Sequence, residues 1–109
     1  MKVAIVGSRG IENIDISKYI PRETTLIISG GAKGIDTLAE EYADKNGIKK
    51  LIIKPDYKRF KKAAPIIRNS EIIKQADVVI AIWDGLSRGT KSVIKECEAI
   101  GKKILVHRI

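Results

Sequence analysis

Five short apolar runs alternate with segments of helical period along the whole chain, and this alternation constrains the fold more than any other feature. "KVAIVG" at 2–7 is β-branched and closes on glycine, which reads as a strand. Residues 15–21, "DISKYIP", place Ile16, Tyr19 and Ile20 at i, i+3 and i+4. With Asp15 as N-cap and Pro21 as terminator, they predict a short helix. Residues 24–29 are a second strand. From Gly34 to Asn46, the residues Ile35, Leu38, Ala39, Tyr42 and Ala43 form one apolar face, and Gly47 ends that helix. Residues 50–55 are a third strand, followed by a basic, irregular stretch and a helix over 63–75 carrying Ile66, Ile67, Ile72 and Ile73. "DVVIAIW" at 77–83 lacks alternation, as a strand buried on both faces would. A helix over 88–100 is expected to bury Val93, Ile94, Cys97 and Ile100, with Gly101 as its stop and 102–109 as a fifth strand.

Strands and helices in strict alternation, joined by short links, mean a parallel sheet covered on both faces. The expectation is one three-layer α/β/α domain over residues 1–109, with five strands in the order 3-2-1-4-5. At 109 residues the chain suffices for a single core without staples. In that order the first and fourth strands flank a topological switch point, and ligands of such sheets bind outside the carboxyl ends of the strands.

The glycines concentrate at those ends. The first strand runs into Gly7-Ser8-Arg9-Gly10, the second into Ser29-Gly30-Gly31-Ala32-Lys33-Gly34-Ile35-Asp36, and the fourth into Asp84-Gly85-Leu86-Ser87-Arg88-Gly89-Thr90. Seven of the nine glycines lie in these three loops, which weighs a shared ligand crevice above three unrelated tight turns. Two helices begin there, near Gly34 and Gly89, and free N–H groups at helix starts favour an anion. Gly30, Gly31, Gly34, Gly85, Gly89, Ser87 and Thr90 are therefore candidate phosphate contacts. Ser8, Arg9, Arg68 and Asn69 are candidate side-chain contacts, and Gly7, at the end of the first strand, is a further candidate ligand contact. Asp36 and Asp84 are candidate readers of ribose or base, and Asp36 could equally cap its own helix start.

Two standard nucleotide motifs fail. Residues 85–92, "GLSRGTKS", end like a Walker A loop, but three residues rather than four separate the glycines and Thr90 precedes Lys91. "SGGAKG" has the spacing of G-x-G-x-x-G, but serine replaces the first glycine and the segment follows the second strand. Neither P-loop hydrolysis nor a dinucleotide cofactor is expected, and no cofactor is assigned.

Net charge is +8, which attracts polyanions and equally describes a lysine-rich solvated surface. Lys58, Arg59, Phe60, Lys61 and Lys62 form the sharpest basic cluster. It reads either as a nucleic-acid contact or as a solvated loop anchored by Tyr57 and Phe60. The one histidine, His107, falls on the last strand without a partner. Cys97 sits on a core-facing helix position and gives neither a disulfide nor a metal set. No run approaches the roughly 18 apolar residues of a membrane helix, and no secretory signal opens the chain, so a cytoplasmic protein is the default expectation.

These motifs together resemble the SLOG superfamily of Rossmann-like domains, over residues 2–107. "GSRG", "SGGAKGID", the "RN" at Arg68-Asn69 and "ADVVIAIWDGLSRGT" match in order. The likeness is to the small YspA/YpsA type and implies binding of a nucleotide or nucleotide-derived ligand in a sensor or effector role, with a homodimer as a family-level expectation. The superfamily also includes Lonely Guy phosphoribohydrolases, whose fourth-strand loop carries a catalytic glutamate three residues after a threonine. Here that position is Val93, while their catalytic arginine matches Arg68. A nucleoside 5′-monophosphate glycosidase is thus an alternative lacking its carboxylate. DprA/Smf proteins share "SGGAKGID" and imply single-stranded DNA binding, the second alternative.

Overall fold

The apolar runs pair as a single parallel sheet in the computed structural model, which describes residues 1–109. Its strands are β1 (Lys2–Gly7), β2 (Leu26–Ser29), β3 (Lys49–Ile52), β4 (Val78–Trp83) and β5 (Ile104–Arg108), in the order β3-β2-β1-β4-β5. In register, Val3 to Gly7 lie beside Val78 to Ile82, so the two most apolar strands form the centre. Helices α1 (Ile35–Lys45), α2 (Tyr57–Phe60), α3 (Ala64–Gln75) and α4 (Arg88–Ile100) complete the three-layer α/β/α, Rossmann-like arrangement. No helix is long and apolar enough to cross a membrane.

Alternate residues of the central strands feed two cores. Val3, Ile5, Ile27, Ile80 and Ile82 pack with Ile35, Ala39 and Ala43 of α1 on one face. Ala4, Val6, Ile28, Val79 and Ala81 pack with Ile72 and Ile73 of α3 and Val93 and Cys97 of α4 on the other. Burial on both sides explains why β4 shows no alternation in sequence.

The structure departs from the sequence expectations in four places. Residues 15–21 make only a 3-10 turn, Ile16–Tyr19, because the Asp15 carboxylate accepts from Ser17 N–H (3.1 Å) and Pro21 leaves no room for an α-helical continuation. The basic stretch is not irregular throughout. Asp56 caps it by accepting from Arg59 N–H (3.2 Å), which winds the single turn of α2. Ile100 stands 60% exposed although it shares a helical face with Val93 and Cys97. The last turn of α4 lies level with Ala76, ahead of β4, where Lys102 Nζ donates to the Ala76 carbonyl (2.6 Å) and no sheet remains to cover it. Ile66 and Ile67 of α3 are also exposed, leaving Ile72 and Ile73 as that helix's core residues.

Candidate functional site

A cleft of about 150 Å3 opens where β1 and β4 part at their carboxyl ends. Three loops and two helices shape it. Gly7 ends β1, and any side chain there would strike Ile35 and the Ile82 carbonyl at 2.5 Å, so α1 can approach the sheet only over glycine. Arg9, Gly30, Ala32 and Asp36 form one wall, Arg68, Asn69 and Ile72 of α3 a second, and Ser87, Gly89, Thr90 and Val93 of α4 a third.

Arg68 is the cleft's organised cation. One guanidinium N–H donates to the Gly30 carbonyl (2.7 Å) and Nε–H donates to Asn69 Oδ1 (2.8 Å). A guanidinium has five N–H donors, so three remain for an anion. Burial pushes the Arg68 guanidinium down from its ordinary value, an effect the negative charge of Asp36 opposes. Burial pushes the Asp36 carboxyl up, partly offset by the Ala32 N–H it accepts (3.1 Å) and by the charge of Arg68. The two do not form a direct ion pair; the molecule's one salt bridge joins Lys50 and Asp44 at 2.9 Å on the surface.

The start of α4 supplies the second anion-seeking element. Ser87 caps it, its hydroxyl accepting from Thr90 N–H at 3.4 Å, and the first intrahelical bond runs from Lys91 N–H to the Ser87 carbonyl. The N–H groups of Arg88 and Gly89 precede that bond and lie at the positive end of the helix dipole. A Cβ at Gly89 would meet nothing within 4 Å. Glycine here is therefore not dictated by packing, and it leaves the helix start bare toward the cleft.

Of the fourteen candidate contacts named from sequence, nine line this cleft: Gly7, Arg9, Gly30, Asp36, Arg68, Asn69, Ser87, Gly89 and Thr90. The other five do not line it. The fully buried Ser8 accepts from Asp84 N–H through its hydroxyl (3.0 Å), tying the β1 loop to the β4 loop. Asp84 accepts from Leu86 and Ser87 N–H (2.7 and 2.9 Å), which hold its carboxyl below its ordinary value. Gly85 lies under the Arg108 guanidinium, Gly31 faces Ile52 and Lys54, and Gly34 is packed against the Ser8 and Arg9 carbonyls. Since Ile35 N–H also donates to the Ser8 carbonyl (3.4 Å), the α1 start is occupied by protein and only the α4 start is open. Val6, Ala32, Ile72 and Val93 complete the lining. Ile72, one turn after Arg68, could have been found from helical spacing alone.

Asp36 is the cleft's one carboxylate. Val93 is buried in the position that the superfamily resemblance gives to glutamate, and Glu96, one turn on, instead accepts from the Ser70 hydroxyl (3.0 Å). No group of three or more His, Cys, Asp or Glu is placed to hold a metal ion. The cluster Lys58, Arg59, Phe60, Lys61 and Lys62 lies outside this cleft, its four cations exposed and the Arg59 guanidinium 5.0 Å from the centre of the Phe60 ring.

Residues 1–60, more than half of the chain, match the family model described as the YspA, cpYpsA-related SLOG family, and the chain belongs to that family. Among solved structures, DNA processing protein A (DprA) from Streptococcus pneumoniae is similar in fold, with a TM-score of 0.79 at 23% identity. The similarity covers 96% of this chain and 49% of that one, so the chain spans about half the length of that protein. No curated protein matches the chain.

Proposed function

We propose that this SLOG domain binds a nucleotide or nucleotide-derived ligand, with its phosphate seated between the α4 start and Arg68. The bare helix start at Gly89, facing a guanidinium with unused donors across one cleft, is the observation that carries the reading. Phosphate would take the N–H groups of Arg88 and Gly89 together with Arg68, while Arg9 adds charge at the mouth. Binding is favoured over turnover because cleavage of an N-glycosidic bond ordinarily draws on carboxylates at the reacting carbon. Asp36 is already engaged by Ala32 N–H, and Val93 cannot serve.

Calorimetric titration with adenosine 5′-monophosphate and ADP-ribose tests this directly. Saturable binding is expected, and Arg68→Ala should weaken it by about ten- to a hundred-fold, as removal of a charged hydrogen-bond donor does. No binding of either compound at millimolar concentration would overturn the reading. Release of free base would move it to the glycosidase alternative.

A second reading, single-stranded nucleic acid, is favoured by the exposed cations of 58–62 at the same end of the sheet. It requires affinity that falls steeply with salt and is lost on replacing Lys58, Arg59, Lys61 and Lys62.

A further inference from the structure

Arg68 has a second neighbour besides the cleft. On its other side an apolar hollow of about 230 Å3 lies between the segment after β3 and the outer face of α3. Ile53, Phe60, Ala64 and Ile67 wall it, and Asp56, Glu71 and Lys54 stand among its lining residues. Ile67 is 39% exposed, and Phe60 and Ile53 are only half buried. Apolar surface is thus left wet beside a charged cleft with no packing reason for it.

We propose that this hollow is the base pocket of the ligand whose phosphate occupies the cleft, and that it takes an amino-bearing purine; the inference rests on the binding function proposed above. Size is the first argument. Ligand pockets usually span about 300–1,000 Å3. The cleft alone falls short of that, and so does the hollow; together they reach it, sharing Arg68 as a common wall.

Polarity is the second argument, and it sets the direction of the ligand. The cleft presents Arg9, Arg68 and a helix start, whereas the hollow presents mainly hydrocarbon and one aromatic ring, with the charges of Asp56 and Glu71 matched by those of Lys54 and Arg68. The phosphate finds its helix start only in the cleft, and a flat base is drawn to the hollow, where Phe60, Ile53 and Ile67 replace water. Asp56 spends one oxygen on Arg59 N–H and Glu71 one on Gln75 Nε2–H, so each retains an acceptor. Acceptors at the rim select a base that offers an N–H2 group.

The test compares adenosine 5′-monophosphate, inosine 5′-monophosphate and ribose 5-phosphate by calorimetry on the wild-type chain and on Ile67→Ser. Ile67 is partly exposed and lies outside the phosphate cleft, so the variant keeps the fold. Adenosine monophosphate should bind roughly ten-fold or more tighter than ribose 5-phosphate, the scale of one buried base. Inosine monophosphate should fall between them. Ile67→Ser should close most of the gap while ribose 5-phosphate binds as before. Equal affinities of adenosine monophosphate and ribose 5-phosphate, or a gap untouched by Ile67→Ser, would overturn the base pocket and leave the phosphate site standing. Equal affinities for the two purine nucleotides would overturn the amino selection. If none of the three binds, the phosphate site falls and the base pocket falls with it.

Discussion

The glycine-rich turns that begin α1 and α4 share composition and differ in what their backbones face. At the α1 start, Gly34 has φ +75° and its absent side chain leaves room for the Ser8 and Arg9 carbonyls, 2.5 Å from where a Cβ would sit. Ile35 N–H is already taken by the Ser8 carbonyl. At the α4 start, Gly89 has ordinary helical backbone and open space in front of it. One glycine closes the structure and the other keeps it open. A glycine cluster in sequence can therefore mean either packing or access, and only the opposing surface distinguishes them.

The comparison breaks most sharply at Gly34. Gly34→Ala combines a backbone conformation that side chains avoid with a collision against backbone that cannot swing away. It should destabilise the fold by roughly 3 kcal/mol, read as the shift in a urea midpoint. A change under about 1 kcal/mol would show that the α1 start is not closed as described. Ser87→Ala removes the α4 cap and should cost about 1 kcal/mol in the same measurement. Gly89→Ala should go the other way, raising stability by up to about 1 kcal/mol because alanine is the better helix former. It should nonetheless weaken nucleotide binding by crowding the bare helix start, and an unchanged affinity would remove Gly89 from the site.

Asp36 sharpens the comparison by pH. Its carboxyl is raised above 3.8 by burial, so the native state holds that proton longer than the unfolded chain does. Between 3.8 and the raised value, the unfolded state binds fewer protons and stability falls as pH rises. Asp36→Asn removes this penalty. Thermal unfolding at pH 4 and pH 7 should show the variant gaining on the wild type as pH rises. A constant difference between the two would mean that burial of the charge is not felt.

Much of this was legible in the chain before folding. Alternation of β-branched runs with helical periods specified a parallel three-layer domain, and the apolar character of 2–7 and 77–83 placed those strands at its centre. Both features are local or follow from burial on two faces, so they leave a direct imprint on residue order. The glycine loops marked the end of the sheet where the cleft opens, for the same reason. The turns that side-chain caps wind were less readable: the Asp15 cap shows in the sequence but not the 3-10 form of the turn it opens, and Asp56 winds α2 by one hydrogen bond that hydrophobic periodicity does not register. The exposure of Ile100 was equally hidden, because its helical face is right and only the reach of the sheet beneath it is not.

What the sequence determined by itself is therefore the architecture and the inventory of polar residues gathered at one edge, since both depend on pattern along the chain. What the tertiary structure decided is the division of labour among them. Ser8 turned inward, its hydroxyl accepting from the Asp84 backbone N–H to fasten loops 76 residues apart, while the Asp84 carboxylate was spent on its own turn. Arg68, 38 residues from Gly30, was drawn across to its carbonyl and became the wall between a charged cleft and an apolar hollow. Such roles arise from contacts between distant segments, and no spacing along the chain encodes which donor will be spent on the protein and which left for a ligand.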